Sequence, residues 1–119
     1  MLRRERRIHR AEEYSSLRRN GRSVHGRMMT LNCARNSLPF NRYGIIVSKR
    51  VGMAVTRNRV RRLLREAVRA LDAELSSGFD IVLIARPALK GEPLSAVLVA
   101  VRELAIRAGV AAGSGKLSP

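Results

Sequence analysis

The seven residues "FDIVLIA" (79–85) are apolar at every position but one. A strand run without polar–apolar alternation reads as covered on both faces, so it belongs in the middle of a sheet. The fold must then supply material on each side of that sheet. Upstream, "YGIIVSKR" (43–50) is rich in β-branched residues and predicts a second strand. Between the two, Val60, Leu63, Leu64, Ala67, Val68, Leu71 and Leu75 recur at helical spacing and form one apolar face of a helix over about 57–75. "SSG" at 76–78 ends it. A strand, a helix and a strand in that order need a crossover, which makes the two strands parallel.

The remaining segments fit around this unit. "AEEYSSLRRNG" predicts a short helix over about 11–20, closed by Gly21. "SVHGRMMTLNCA" (23–34) reads as extended, with a bend at Gly26, and "NSLPFN" (36–41) has the composition of a hairpin connection. "PALKGEP" (87–93) is a loop, and a second long helix covers 94–109. The expected fold is an α/β sandwich of the α+β class, ordered helix, strands, helix, strand, helix. The 119 residues suit one domain over 1–110, opening on a basic arm at 1–10. "VAAGSGKLSP" is expected to fray, leaving a flexible tail at 111–119. The longest apolar run, "AVLVAV" at 96–101, is too short to span a bilayer, so no membrane is implied. Cys33 is the lone cysteine, which excludes an internal disulfide and fits a reducing, cytoplasmic setting.

Charge narrows the function. Lys plus Arg number 24 against 9 Asp plus Glu, a formal charge of +15. That excess repels itself in a compact chain and points to a polyanionic partner. Nearly all of it is arginine, with lysine only at 49, 90 and 116. Guanidinium forks match phosphate oxygens and stack on bases, which favours nucleic acid.

The excess concentrates on the first long helix. With Thr56 as its expected N-cap, the opening turn carries Arg57 and Arg59 and no acid, the wrong sign for the positive end of a helix dipole. Opposite the apolar face lie Asn58, Arg61, Arg62, Arg65 and Arg69, flanked by Arg57 and Arg59. Arg57–Arg61, Arg61–Arg65 and Arg65–Arg69 are like-charge neighbours, each costing roughly 0.2–0.5 kcal/mol in isolation. Only Glu66 and Asp72 offer relief nearby. A face that served solubility alone would interleave signs. Phosphate binding explains it better.

The stretch "KRVGMAVTRNRVRRLLREAVR" (49–69) resembles the signature of the bacterial ribonuclease P protein subunit. That signature runs Arg-Asn-Arg-x-Lys/Arg-Arg-x-x-Arg after a Lys-Lys/Arg-x-Gly turn. Arg57, Asn58, Arg59, Arg61, Arg62 and Arg65 match it, as do Lys49, Arg50 and Gly52. "EEY", "IVSKR" and "DIVLIAR" extend the resemblance over most of the chain except the tail. The resemblance implies a ribosomal-protein-like sandwich with a left-handed crossover around the arginine helix, where the general rule predicts a right-handed one. It implies that Lys49, Arg50, the motif arginines and Arg69 face a catalytic RNA. It also implies a cleft between the first helix and the sheet that holds the 5′ leader of precursor tRNA, lined by Tyr14, Arg18, Asn32, Ser48 and Arg86. Family members commonly place stacking aromatics there; this chain has Arg18 and Asn32 instead, and its aromatics are Tyr14, Phe40, Tyr43 and Phe79. Leader binding would then lean on charge and guanidinium stacking.

A nuclease site within the chain itself is a poor fit. Metal-dependent hydrolysis needs converging carboxylates. The acids here are scattered over Glu5, Glu12, Glu13, Glu66, Asp72, Glu74, Asp80, Glu92 and Glu103, and His9 and His25 form no acid–base pair. The expectation is a non-catalytic subunit that holds no cofactor alone, with Mg2+ held mainly by the RNA that performs hydrolysis. No protein oligomer is implied. The competing expectation is a ribosomal-type RNA-binding protein with no part in cleavage.

Overall fold

The computed structural model describes Arg7, Ile8, Leu17 and residues 20–111. Four strands, β1 (Arg22–His25), β2 (Met29–Arg35), β3 (Arg42–Ile46) and β4 (Phe79–Ala85), form one sheet in the order β1-β2-β4-β3. β1 and β2 are an antiparallel hairpin, β2 runs antiparallel to β4, and β3 runs parallel to β4. The apolar run is therefore an inner strand with β2 and β3 on either side, and Ile81, Val82 and Leu83 are all buried. The chain passes from β3 to β4 through helix α1 (Ala54–Leu71), and α2 (Leu94–Ala108) follows β4.

Both helices cover one face of the sheet. Met29, Leu31, Cys33, Ile81 and Leu83 meet Val60, Leu64 and Val68 of α1 and Val97, Val101 and Leu104 of α2 in one core cluster. The other face carries a smaller cluster of Ile8, Leu17 and Val82, with Ala34 and Ile84 packed against it. This second cluster is what buries β4 on its far side. Gly109 caps α2 just past Ala108, and its φ of 83° is the left-handed position that closes a helix.

Several expectations change. Residues 36–41 do not close a hairpin, because β4 inserts between β2 and β3. β4 is the strand with two apolar faces, and a β2–β3 hairpin would push it to an edge. The turn chemistry survives: Leu38 N–H donates to Asn36 Oδ1 at 2.8 Å, and Ser37 takes φ 65°. The strand expected over 43–50 stops at Ile46, where its ladder with Ile84 ends, and Lys49–Val51 form a 3-10 turn. α1 begins at Ala54, with Met53 rather than Thr56 at the cap position and no side-chain cap. Thr56 lies inside the first turn, so Arg57 closes that turn instead of opening it. The helix ends at Leu71, and Asp72–Glu74 tighten into a 3-10 turn. Val110 is buried and Ala111 bridges Leu75, so neither is frayed. Within the expected basic arm, Arg7 bridges Tyr43 beside β3, and Ile8 N–H donates to the Tyr43 carbonyl at 2.9 Å. Leu17 and Asn20 are helical, in keeping with a helix there. The rest of the arm, of that helix and of the tail lies outside the described residues.

Candidate nucleic-acid interface

α1 has two chemically opposed sides. Val60, Leu64, Ala67, Val68 and Leu71 are buried, and Leu63 is half-buried against the same core. Asn58, Arg59, Arg62, Arg65 and Arg69 are exposed, with Arg57 and Arg61 half-buried at the margins. Because the inner side is locked into the core, the outer side cannot rotate away from its own repulsion. Arg69 pairs with Glu66 at 3.0 Å, and Arg61 Nη1 donates to Asn58 Oδ1 at 3.0 Å. Among the described residues, Arg57, Arg59, Arg62 and Arg65 have no acidic partner, and the buried Nε of Arg57 has no acceptor. With no acid in the first turn and no side-chain cap, the opening amides of α1 add further positive potential.

More cations gather where β3 and β4 end. The Lys49–Val51 turn packs on a second 3-10 turn, Pro87–Leu89. Lys49 and Arg50 thus come to the same end of the sheet as Arg86 and Lys90, all four exposed. The parallel register of β3 and β4 causes this, since parallel strands deliver their following residues to one end.

The cleft residues separate into three groups. Asn32 falls on the strand alternation that faces Leu17, while Ser48 and Arg86 follow the ends of β3 and β4 as the residues that open the two 3-10 turns. Ser48 and Arg86 are exposed. Asn32 is only 6% exposed, and its Oδ1 accepts from Ser23 Oγ at 2.5 Å. Tyr14 and Arg18 lie outside the described residues. Sequence reasoning missed the row His25–Thr30–Ile84–Ile46, which the register aligns across the same face. His25 and Ile46 are exposed there, and Thr30 and Ile84 half-buried. The period-two pattern in "YGII" and "IVLIA" held the clue, but only the strand order places the row together.

Several of the described carboxylates have structural work. Arg42 holds Asp80 through Nε at 2.9 Å and Nη2 at 2.7 Å, and Asn36 Nδ2 donates to Asp80 Oδ1 at 2.9 Å. Tyr43 donates its hydroxyl to Asp72. Arg102 binds Glu74 at 3.0 and 3.2 Å, and this hydrogen bonding holds the Glu74 carboxyl below its ordinary range. Glu92 meets Arg27 at 3.4 Å. Among the described residues, no three His, Cys, Asp or Glu side chains converge on a point that could hold a metal ion. No described helix is long and apolar enough to cross a membrane. The arrangement can bind a polyanion.

Comparison with known proteins agrees with this geometry. A family profile described as Ribonuclease P matches residues 2–109. The ribonuclease P protein component of Roseiflexus castenholzii is 43% identical over 114 residues, covering 95% of this chain and 93% of that one. Its counterpart from a Thermoanaerobacter species is 38% identical over 109 residues, covering 92% and 94%. Among solved structures, the RNase P protein of Staphylococcus aureus superposes with a TM-score of 0.80 at 27% identity, over 88% of this chain and 96% of that one. The RNase P protein from Thermotoga maritima gives 0.78 at 26%, over 85% and 96%.

Proposed function

The chain belongs to the ribonuclease P protein family, and from that membership we propose how its surfaces serve tRNA 5′-end maturation. As a ribonuclease P protein component it is part of a ribonucleoprotein that processes tRNA. In the proposed arrangement, the outer face of α1 docks on the catalytic RNA through Arg57, Asn58, Arg59, Arg61, Arg62, Arg65 and Arg69. Lys49 and Arg50 extend that contact to the end of the sheet. The sheet face opposite the helices takes the 5′ leader of precursor tRNA, with Ser48 and Arg86 at its mouth and Asn32 in its floor, and Tyr14 and Arg18 contribute to the same binding. The RNA performs the hydrolysis, with Mg2+ held by RNA oxygens, and the particle works in the cytoplasm.

One observation carries this reading: α1 buries Val60, Leu64, Ala67, Val68 and Leu71 on one side while holding on the other four guanidinium groups that have no acidic partner among the described residues. A polyphosphate removes that repulsion on docking, and the freed counterions add an entropic drive. Neutralising about six phosphates predicts an affinity loss of roughly 10³–10⁵ between 50 and 200 mM salt. Arg61→Ala is expected to weaken RNA binding and lower the salt slope by about one. The decisive assay mixes the purified chain with catalytic RNA and precursor tRNA at low magnesium. Stimulated 5′ cleavage is the expected result. RNA binding without stimulation would reduce the chain to a structural RNA-binding role, and cleavage without added RNA would overturn the assignment of hydrolysis to the RNA.

A further inference from the structure

We infer that Met53 and Val55 form an apolar contact that seats an unstacked nucleobase of the partner RNA beside the arginine face. This rests on the docking of α1 to RNA proposed above. Both residues are 82% exposed, well beyond the other exposed large apolar residues among those described, Leu38, Ile46 and Val99 at 36%, 38% and 52%. Single exposed apolar residues are ordinary on a protein surface. Two at the start of the arginine-rich helix, at the greatest exposure among the described large apolar residues, call for a cause.

Their position is held firmly. Val51 is buried beneath the turn, and Gly52 N–H donates to the Lys49 carbonyl at 3.1 Å. Arg57 N–H donates to the Met53 carbonyl at 2.9 Å, so Met53 is tied into the first helical turn. The side chains therefore stand out from a fixed backbone, so covering them orders the side chains but no further backbone.

Charge identifies the occupant. No acidic residue occurs from Lys49 through Arg65, and Lys49, Arg50, Arg57 and Arg59 flank the pair on both sides. A protein partner would have to set an apolar pocket among many carboxylates. A polynucleotide offers both chemistries on adjacent groups: phosphates for the cations and uncapped amides, and flat apolar base faces for a polarizable thioether and a branched methyl pair. Unstacked bases in loops and bulges are what RNA-binding surfaces commonly take.

The test exploits counterion release. Neutralising phosphates sets the slope of affinity against salt, whereas an apolar contact raises affinity equally at every salt concentration. Binding of the full chain to the catalytic RNA is measured from 50 to 200 mM salt for the native chain, Met53→Gln/Val55→Gln, Met53→Leu/Val55→Ile and Arg61→Ala. The glutamine pair is expected to bind about five- to thirty-fold more weakly along a parallel line, as the loss of two partly buried apolar side chains implies. The leucine–isoleucine pair is expected to bind as the native chain does. Thermal melting should not separate the four proteins by more than a few degrees, since every altered side chain is at least partly exposed. Native-like affinity in the glutamine pair, or a loss accompanied by a changed slope, overturns the inference while an altered Arg61→Ala slope leaves the docking of α1 standing. An unaltered slope in Arg61→Ala removes both.

Discussion

Gly52 shows how one backbone position holds up the interface. Its φ of 157° and ψ of −168° lie where side chains are rarely found, and a Cβ there would sit 3.0 Å from Cβ and Cγ2 of Thr56. Gly52→Ala must shift the first turn of α1 or strain the 3-10 turn before it. The expected cost is about 1–3 kcal/mol, read as a lowered denaturant midpoint, together with weaker RNA binding because Lys49, Arg50 and Arg57 are displaced from one another. Unchanged stability would show that the turn tolerates a side chain. Cys33 makes a different kind of prediction. Burial in β2 pushes its thiol up from the ordinary 9.0, against a smaller downward pull from Arg22. The folded state therefore favours the neutral thiol. Below pH about 9 both folded and unfolded chains hold the proton, and the thiol adds no pH dependence. Above it the unfolded chain ionises first, so stability declines with rising pH until the folded thiol also titrates. Melting curves of native and Cys33→Ala proteins from pH 7 to 10 should diverge only at the alkaline end, and parallel curves would refute the burial argument.

At the scale of elements, α1 separates folding from binding. Leu64 is fully buried, so Leu64→Ala leaves a cavity in the main core and should cost about 2–5 kcal/mol, with the salt slope of RNA binding unchanged in the folded fraction. Arg65→Ala on the opposite side should alter stability by no more than about 0.5 kcal/mol, yet weaken RNA binding and flatten its slope. Denaturant melts and salt titrations of the two variants distinguish the roles, and a large stability loss in Arg65→Ala would mean the outer face is structural. Both sides of α1 were legible in the sequence because helical periodicity is local and strong. The inner place of β4 was legible for the same reason, its residues "IVL" being apolar on both alternations. The strand order was not. Whether residues 36–41 join neighbours depends on which strand best fills the centre, and that competition involves residues more than forty positions apart. The start of α1 was missed because Met53, Ala54 and Val55 carry no capping signal; the helix there is held by its neighbours rather than by a cap. Met53 and Val55 carry no charge, and only their exposure in the structure marks them.

For the molecule as a whole, the excess of cations predicts salt effects of opposite sign on folding and on binding. With a formal charge of +15, the compact state brings like charges within about 10 Å of one another, a separation that salt at 0.1 M only begins to screen. Among the described residues the opposing attractions are few: Arg42–Asp80 at 2.7 Å is the well-shielded pair, while Arg69–Glu66, Arg102–Glu74 and Arg27–Glu92 are at the surface, where such pairs contribute about 0–1 kcal/mol each. Raising salt should therefore relieve more repulsion than it removes attraction, and the melting temperature of the free chain should rise between 50 and 500 mM sodium chloride. Over the same range the complex with RNA should weaken, since each bound phosphate displaces a counterion that salt drives back. Inorganic polyphosphate at low salt should reproduce the stabilisation, because a ligand that binds the clustered arginines of the folded face more tightly than the dispersed charges of the unfolded chain adds to stability by mass action. Arg62→Ala and Arg65→Ala together should reduce both effects, since they remove two of the unpaired charges. Thermal melting of the free chain with and without polyphosphate reads the first effect, and filter binding of the RNA reads the second. A free-chain melting temperature that falls as salt rises would mean that its ion pairs outweigh its repulsions, and that the crowding on α1 is balanced within the protein.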